Sequence, residues 1–178
     1  SLADWSDARE RFLDIRGLIE ATHGGQARLA EVVNADGPAG DEFRGVLQPG
    51  LEAAQERNLG RAARLADKLG ERAAGLDTQV AAAEAGANAP DAPALDPESL
   101  AEEQKHVELA RQVLALAVGG MDGVRKGLTG TPPVDWEWVR SDTATAIEHL
   151  ETLRRLFFSI TEHLRDLAQR QVNLADRT

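Results

Sequence analysis

The sequence predicts an all-α protein, an elongated antiparallel four-helix bundle of up-down-up-down topology with coiled-coil-like packing. Three observations predict it. Apolar or small residues recur at alternating spacings of three and four in four separate stretches, the period of a helical seam. Acidic side chains gather early and basic ones late in the last two stretches, as the helix dipole favours. No segment shows the alternating β-branched pattern of a strand. Aromatic residues make up only 4% of the chain and tyrosine is absent, so a core has to be filled with Leu, Val, Ile and Ala, the side chains of a narrow seam.

The first helix is expected over about 2–34, with Trp5, Ala8, Phe12, Ile15, Ile19, Thr22, Gln26, Leu29 and Val33 on its seam. Gly24 and Gly25 weaken it in the middle, at about 1 kcal/mol per glycine relative to alanine. The second is expected over about 41–85, with Leu47, Leu51 and Ala54, then Ala62, Leu65, Leu69, Ala73, Leu76 and Val80. Asn58 falls between these two runs, where the spacing slips. Pro49-Gly50 should kink or restart this helix and could leave 41–48 as a separate turn, since proline lacks the amide and clashes one turn back. Residues 86–95, without period and rich in alanine and proline, read as a flexible linker.

The third helix, about 97–128, opens on the clearest start signal. Asp96 is placed to cap, Pro97 suits the first helical position, and Glu98, Glu102 and Glu103 follow. Its seam is Leu100, Val107, Ala110, Leu114, Ala117, Met121, Val124 and Leu128. Gly119, Gly123 and Gly127 share a ridge that either admits a close neighbour or lets the helix fray after Val118. The fourth, about 132–177, has the strongest pattern: Val139, Thr143, Ala146, Leu150, Leu153, Phe157, Ile160, Leu164, Leu167 and Leu174. Ile147, Leu156 and Phe158 widen that stripe, which implies more than one neighbouring helix. The order of lengths is short, long, short, long, with the long members spanning roughly 65 Å at the helical rise.

Composition narrows the function. A net charge of −10 with no basic block beyond Arg154-Arg155 disfavours nucleic acid and direct adhesion to anionic membranes. Without cysteine there are no disulfides, thiolate metal sites or cysteine nucleophiles. The longest apolar run, 113–118, is far short of a membrane span. The chain opens at Ser1 and closes at Thr178 in mid-pattern, so it is expected to be a piece of a longer parent.

The sharpest chemical candidate is a metal site. Glu20-x-x-His23 and Glu103-x-x-His106 each set a carboxylate and an imidazole one turn apart, as carboxylate-bridged di-iron bundles do. Here the motifs fall on the first and third helices, and their distances from the turns at one end differ by on the order of 16 Å, too far for one centre. Haem ligation by Met121 with a histidine is poorly placed, and neither a nucleophile elbow nor a phosphate loop is present. No catalytic residue and no cofactor is expected. Glu103 is the one acid on an apolar seam, where pairing with an arginine or exposure is the favoured reading. Trp136 and Trp138, two residues apart, cannot both face one core stripe; the favoured reading has one of them fold back over the Pro132-Pro133 turn, and the alternative leaves it exposed as a contact anchor.

The stretch 153–171, Leu-Arg-Arg-Leu-Phe-Phe-Ser-Ile-Thr-Glu-His-Leu-Arg-Asp-Leu-Ala-Gln-Arg-Gln, resembles heptad-rich regions of large uncharacterised bacterial envelope proteins. The resemblance implies an extracytoplasmic helical region of a bigger protein, periplasmic or envelope rather than cytoplasmic, with no catalytic residues to carry over. The leading functional expectation is a non-enzymatic helical scaffold or protein-interaction module that binds a protein partner or itself. The alternatives are an extracytoplasmic four-helix-bundle sensor domain and a di-iron-like metal-binding bundle.

Overall fold

The seams assemble into four helices in a computed structural model that describes residues 2–35, 40–84, 97–130 and 133–175, with side chains described for 14–35, 40, 42–83, 98–130 and 133–158. They are α1 (Leu2–Val33), α2 (Gly40–Glu84), α3 (Pro97–Thr129) and α4 (Trp136–Ala175). No strand occurs among the described residues. The expected linker 86–95, the cap at Asp96 and the side chains of the outer seam positions (Trp5, Phe12, Ile160, Leu164) lie outside them.

Each helix packs on its sequence neighbour, and α1 closes the ring against α4. Contacts fix the directions. Going up α2, Gln48, Gln55 and Arg72 meet Leu128, Met121 and Glu103, so the partner number falls as the α2 number rises. Glu20 and His23 of α1 likewise meet Arg154 and Glu151 of α4 in descending order. Asn58 reaches Gln26, while Arg44 reaches the carbonyl of Ala35. The bundle is antiparallel throughout.

Two alternatives left open for α2 and α3 are decided, and the start of α4 differs from the expected one. Helix α2 runs unbroken through Pro49, so 41–48 is not a separate turn. Proline at this position frees the carbonyl of Gly45, four residues back. Both residues are exposed, so that carbonyl lies on the water side, where solvent can satisfy it. Helix α4 starts at Trp136 rather than near 132. Asp135 sets this start: its Oδ1 accepts from the Trp138 amide at 3.0 Å and its carbonyl accepts from Val139 at 3.1 Å, the geometry of an N-cap. Helix α3 does not fray after Val118 but continues to Thr129.

The glycine face of α3 keeps Gly123 and Gly127 of the expected ridge but has Gly120 in place of Gly119. Gly119 is open, whereas an added Cβ at Gly120 would lie 3.0 Å from the Ala146 backbone nitrogen and 3.1 Å from the Asp142 carbonyl. Gly123 faces the Asp142 carboxylate, and a Cβ added at Gly127 would lie 2.7 Å from Val139 Cγ2. The close approach of α4 therefore runs along Gly120, Gly123 and Gly127.

The apolar core falls into segments. A large cluster joins Ile15, Ile19, Leu65, Leu69, Leu114, Met121, Leu150 and Leu153 with their smaller neighbours. A second, at the end where α1 finishes and α4 begins, joins Leu29, Val33, Leu51, Val124, Leu128, Trp136 and Val139. A third packs Leu76 against Leu100 and Val107. Arg44 is buried at the second cluster, its guanidinium 5.6 Å from the Trp136 ring centroid and its Nη1 donating to the Ala35 carbonyl at 2.9 Å. That one side chain ties the ends of α1, α2 and α4 together, by a cation–π contact and a charge-assisted hydrogen bond.

Candidate functional site

Between the first two clusters every helix changes character at the same level. On α1, Thr22 and Gln26 separate Ile19 from Leu29; on α2, Gln55 and Asn58 separate Leu51 from Ala62. On α4, Thr143 separates Val139 from Ala146, and α3 presents Gly120 and Gly123 beside Met121. The result is a polar layer across the bundle. Its members are fully enclosed: Gln26 and Gln55 are 0% exposed and Asn58 1%.

The layer explains the apparent slip in α2. Leu51, Gln55, Asn58 and Ala62 keep the alternating spacing of four and three, and Ala54 sits only at the edge. The seam is continuous; two of its positions carry amides instead of aliphatic groups.

Burying an amide without a partner costs on the order of 1–3 kcal/mol, so the bonding of the layer decides its stability. Asn58 Nδ2 donates to Gln26 Oε1 at 3.3 Å, and Asn58 Oδ1 accepts from Arg61 Nη1 at 3.0 Å. Gln55 Nε2 donates to the Met121 carbonyl at 2.7 Å, linking α2 to α3. Thr22 and Thr143 donate to carbonyls one turn back in their own helices, Leu18 and Val139, each at 2.7 Å. Gly25 makes room for the layer: a Cβ there would fall on Asn58 Oδ1 and lie 3.0 Å from its Cγ. The glycine that weakens α1 as a helix is what lets Asn58 in.

The metal candidates are divided among different helix contacts. Glu20 accepts from Arg154 Nε of α4 at 2.9 Å, and His23 Nε2 lies 3.7 Å from Glu151 Oε1, also on α4. Glu103 instead pairs with Arg72 of α2, and His106 is exposed. Glu20 and His23 thus face α4 while Glu103 faces α2. Among the described residues no group of three or more His, Asp or Glu is gathered as a metal would need. The pairing of Glu103 matches the reading of that acid as an arginine partner.

The two tryptophans part as their spacing requires. Trp136 is buried in the end cluster, while Trp138 is 49% exposed and donates from Nε1 to Asp142 Oδ2 at 2.6 Å. Asp142 is the residue facing Gly120 and Gly123, so Trp138 stands beside the α3–α4 contact. Leu109 and Leu116, seven residues apart and so on one side of α3, are both exposed. Sequence spacing missed Gln55, Gly25 and Gly120; the available signal was the unbroken four-three spacing through Gln55 and Asn58. No helix among the described residues is long and apolar enough to cross a membrane. Compared with family models, curated proteins and solved structures, the chain matches none.

Proposed function

We propose that the chain is a non-enzymatic helical scaffold or protein-interaction module. The observation that carries this reading is the exposure of Trp138 on α4 and of Leu109 and Leu116 on α3, while the seam side chains of both helices are buried. A half-exposed tryptophan is the kind of side chain that serves as a contact anchor. The acidic balance argues for a protein partner or a second copy over nucleic acid. The resemblance of 153–171 to envelope proteins supports a place in a larger bacterial protein outside the cytoplasm.

A photo-crosslinking residue at position 116, with position 64 on the exposed side of α2 as control, tests this in the natural host. A discrete adduct from 116 alone, lost when Trp138 is replaced by alanine, is the expected result. Equal or absent adducts from both positions would remove the basis of the proposal.

A sensor bundle is the second reading, favoured by buried amide atoms between the first two core clusters that are not all satisfied by protein. A metal-binding bundle has less support, because Glu20 and Glu103 are each held by an arginine on a different neighbouring helix.

A further inference from the structure

The hydrogen bonds of the polar layer have a direction. Arg61 can only donate, so the Asn58 group facing it must be the carbonyl oxygen, and Asn58 Nδ2 must then donate onward to Gln26 Oε1. That fixes Gln26 with its Nε2 as the free end. On the other side the Met121 carbonyl can only accept, so Gln55 must offer Nε2 to it, leaving Oε1 as the free end. Reversing either glutamine amide would set oxygen against oxygen or donor against donor, so the assignment follows from the partners.

Both free ends are buried and have no hydrogen-bond partner among the described residues. They are complementary, one donor and one acceptor. Gln55 lies one turn from Asn58 on the same face of α2, and Asn58 holds Gln26, so both free ends belong to the same buried layer. The hydroxyl oxygens of Thr22 and Thr143 are buried at the same level and, having given their protons to their own helices, can still accept.

We propose that a single buried water closes this chain, accepting from Gln26 Nε2 and donating to Gln55 Oε1. The site calls for a small neutral molecule with both a lone pair and a proton to give. Buried waters typically make about three hydrogen bonds, and a threonine oxygen of the layer can take the second proton. The closed chain runs from the Arg61 cation through Asn58, Gln26, the water and Gln55 to the α3 backbone, joining α1, α2 and α3 between the large core cluster and the end cluster. Each member polarises the next in the same sense.

Water–amide cross-relaxation in the uniformly ¹⁵N-labelled full chain tests the site directly. The Gln26 side-chain amide protons should show contact with a water that stays bound longer than the protein takes to tumble. A scalar coupling across a direct Gln26–Gln55 hydrogen bond, or no long-lived water at these protons, would overturn the proposal. Unfolding of Gln26→Leu, Gln55→Leu and the double variant gives an independent arm. Each single change should lower the folding equilibrium constant about tenfold by orphaning the water and the other amide, with the double change costing less than the product of the two. Independent, multiplicative effects would contradict a shared water.

Discussion

Glycine faces a neighbouring helix in both the α1–α2 and the α3–α4 contacts, but it admits different things. Gly25 gives its space to the Asn58 amide, a side chain held in turn by Arg61 and Gln26. Gly120 gives its space to the main chain of α4, the Ala146 nitrogen and the Asp142 carbonyl. In the first contact an intruding atom displaces a side chain and the hydrogen bonds it makes. In the second it has to move a helix. Glycines with the same low helix propensity thus differ in what replacing them does, and only the neighbour decides the sign.

The largest effect expected from this difference is at Gly120. Gly120→Leu must push α4 away, and overpacking of this kind costs up to about 3 kcal/mol, readable as a drop in the urea midpoint. An unchanged midpoint would mean that α4 does not approach α3 so closely. Next is Asn58→Ala, which leaves the Gln26 carbonyl oxygen buried without its donor and deprives Arg61 of its acceptor; a loss of about 2 kcal/mol is expected in the same titration. Gly119→Ala, one residue from Gly120 but facing open space, should instead stabilise by about 0.5–1 kcal/mol, the helix preference of alanine, with Tm as the readout.

The smallest effect belongs to Asp122. Hydrogen bonds first from Lys126 and then from Arg125 hold its carboxyl below its ordinary value of 3.8. A depressed carboxylate contributes stability above that ordinary value and loses it as pH falls through the lower folded value. Asp122→Asn should therefore unfold slightly more readily than the wild type at neutral pH, with the difference vanishing in strong acid. A gap that persists or widens at low pH would assign the effect to packing. The carboxylate is only partly buried, with 32% of its side chain exposed, so solvent screening keeps the effect small.

Which parts of this were legible in the sequence follows from what periodicity measures. The seams of α1, α3 and α4 are runs of aliphatic residues, and the spacing of Ile19, Thr22 and Gln26 or of Val139, Thr143 and Ala146 places even the polar members on the buried face. Gln55 and Asn58 are adjacent seam positions with no aliphatic residue between them, so a pattern read from apolar residues shows a slip where the helix has none. Pro49 and the Pro132-Pro133 pair carry strong local signals, yet solvent can serve the carbonyl freed in α2, and the Asp135 cap fixes the start of α4. Interhelical register is not written in any single helix. The pairing of Gly25 with Asn58, or of Gly120 with Ala146, emerges only when two helices are set side by side.

The central claim is that the polar layer occupies space that Gly25 provides, and the adjacent pair Gly24 and Gly25 tests it most directly. Both lie in the middle of α1, but a Cβ at Gly24 meets only Arg28 Nη1 at an ordinary 3.7 Å, whereas at Gly25 it collides with Asn58. In parallel thermal unfolding, Gly24→Ala should raise Tm by the gain in helix propensity, and Gly25→Ala should lower it by disrupting the layer. If both substitutions raise Tm alike, Asn58 does not sit against Gly25, and the account of the layer is wrong.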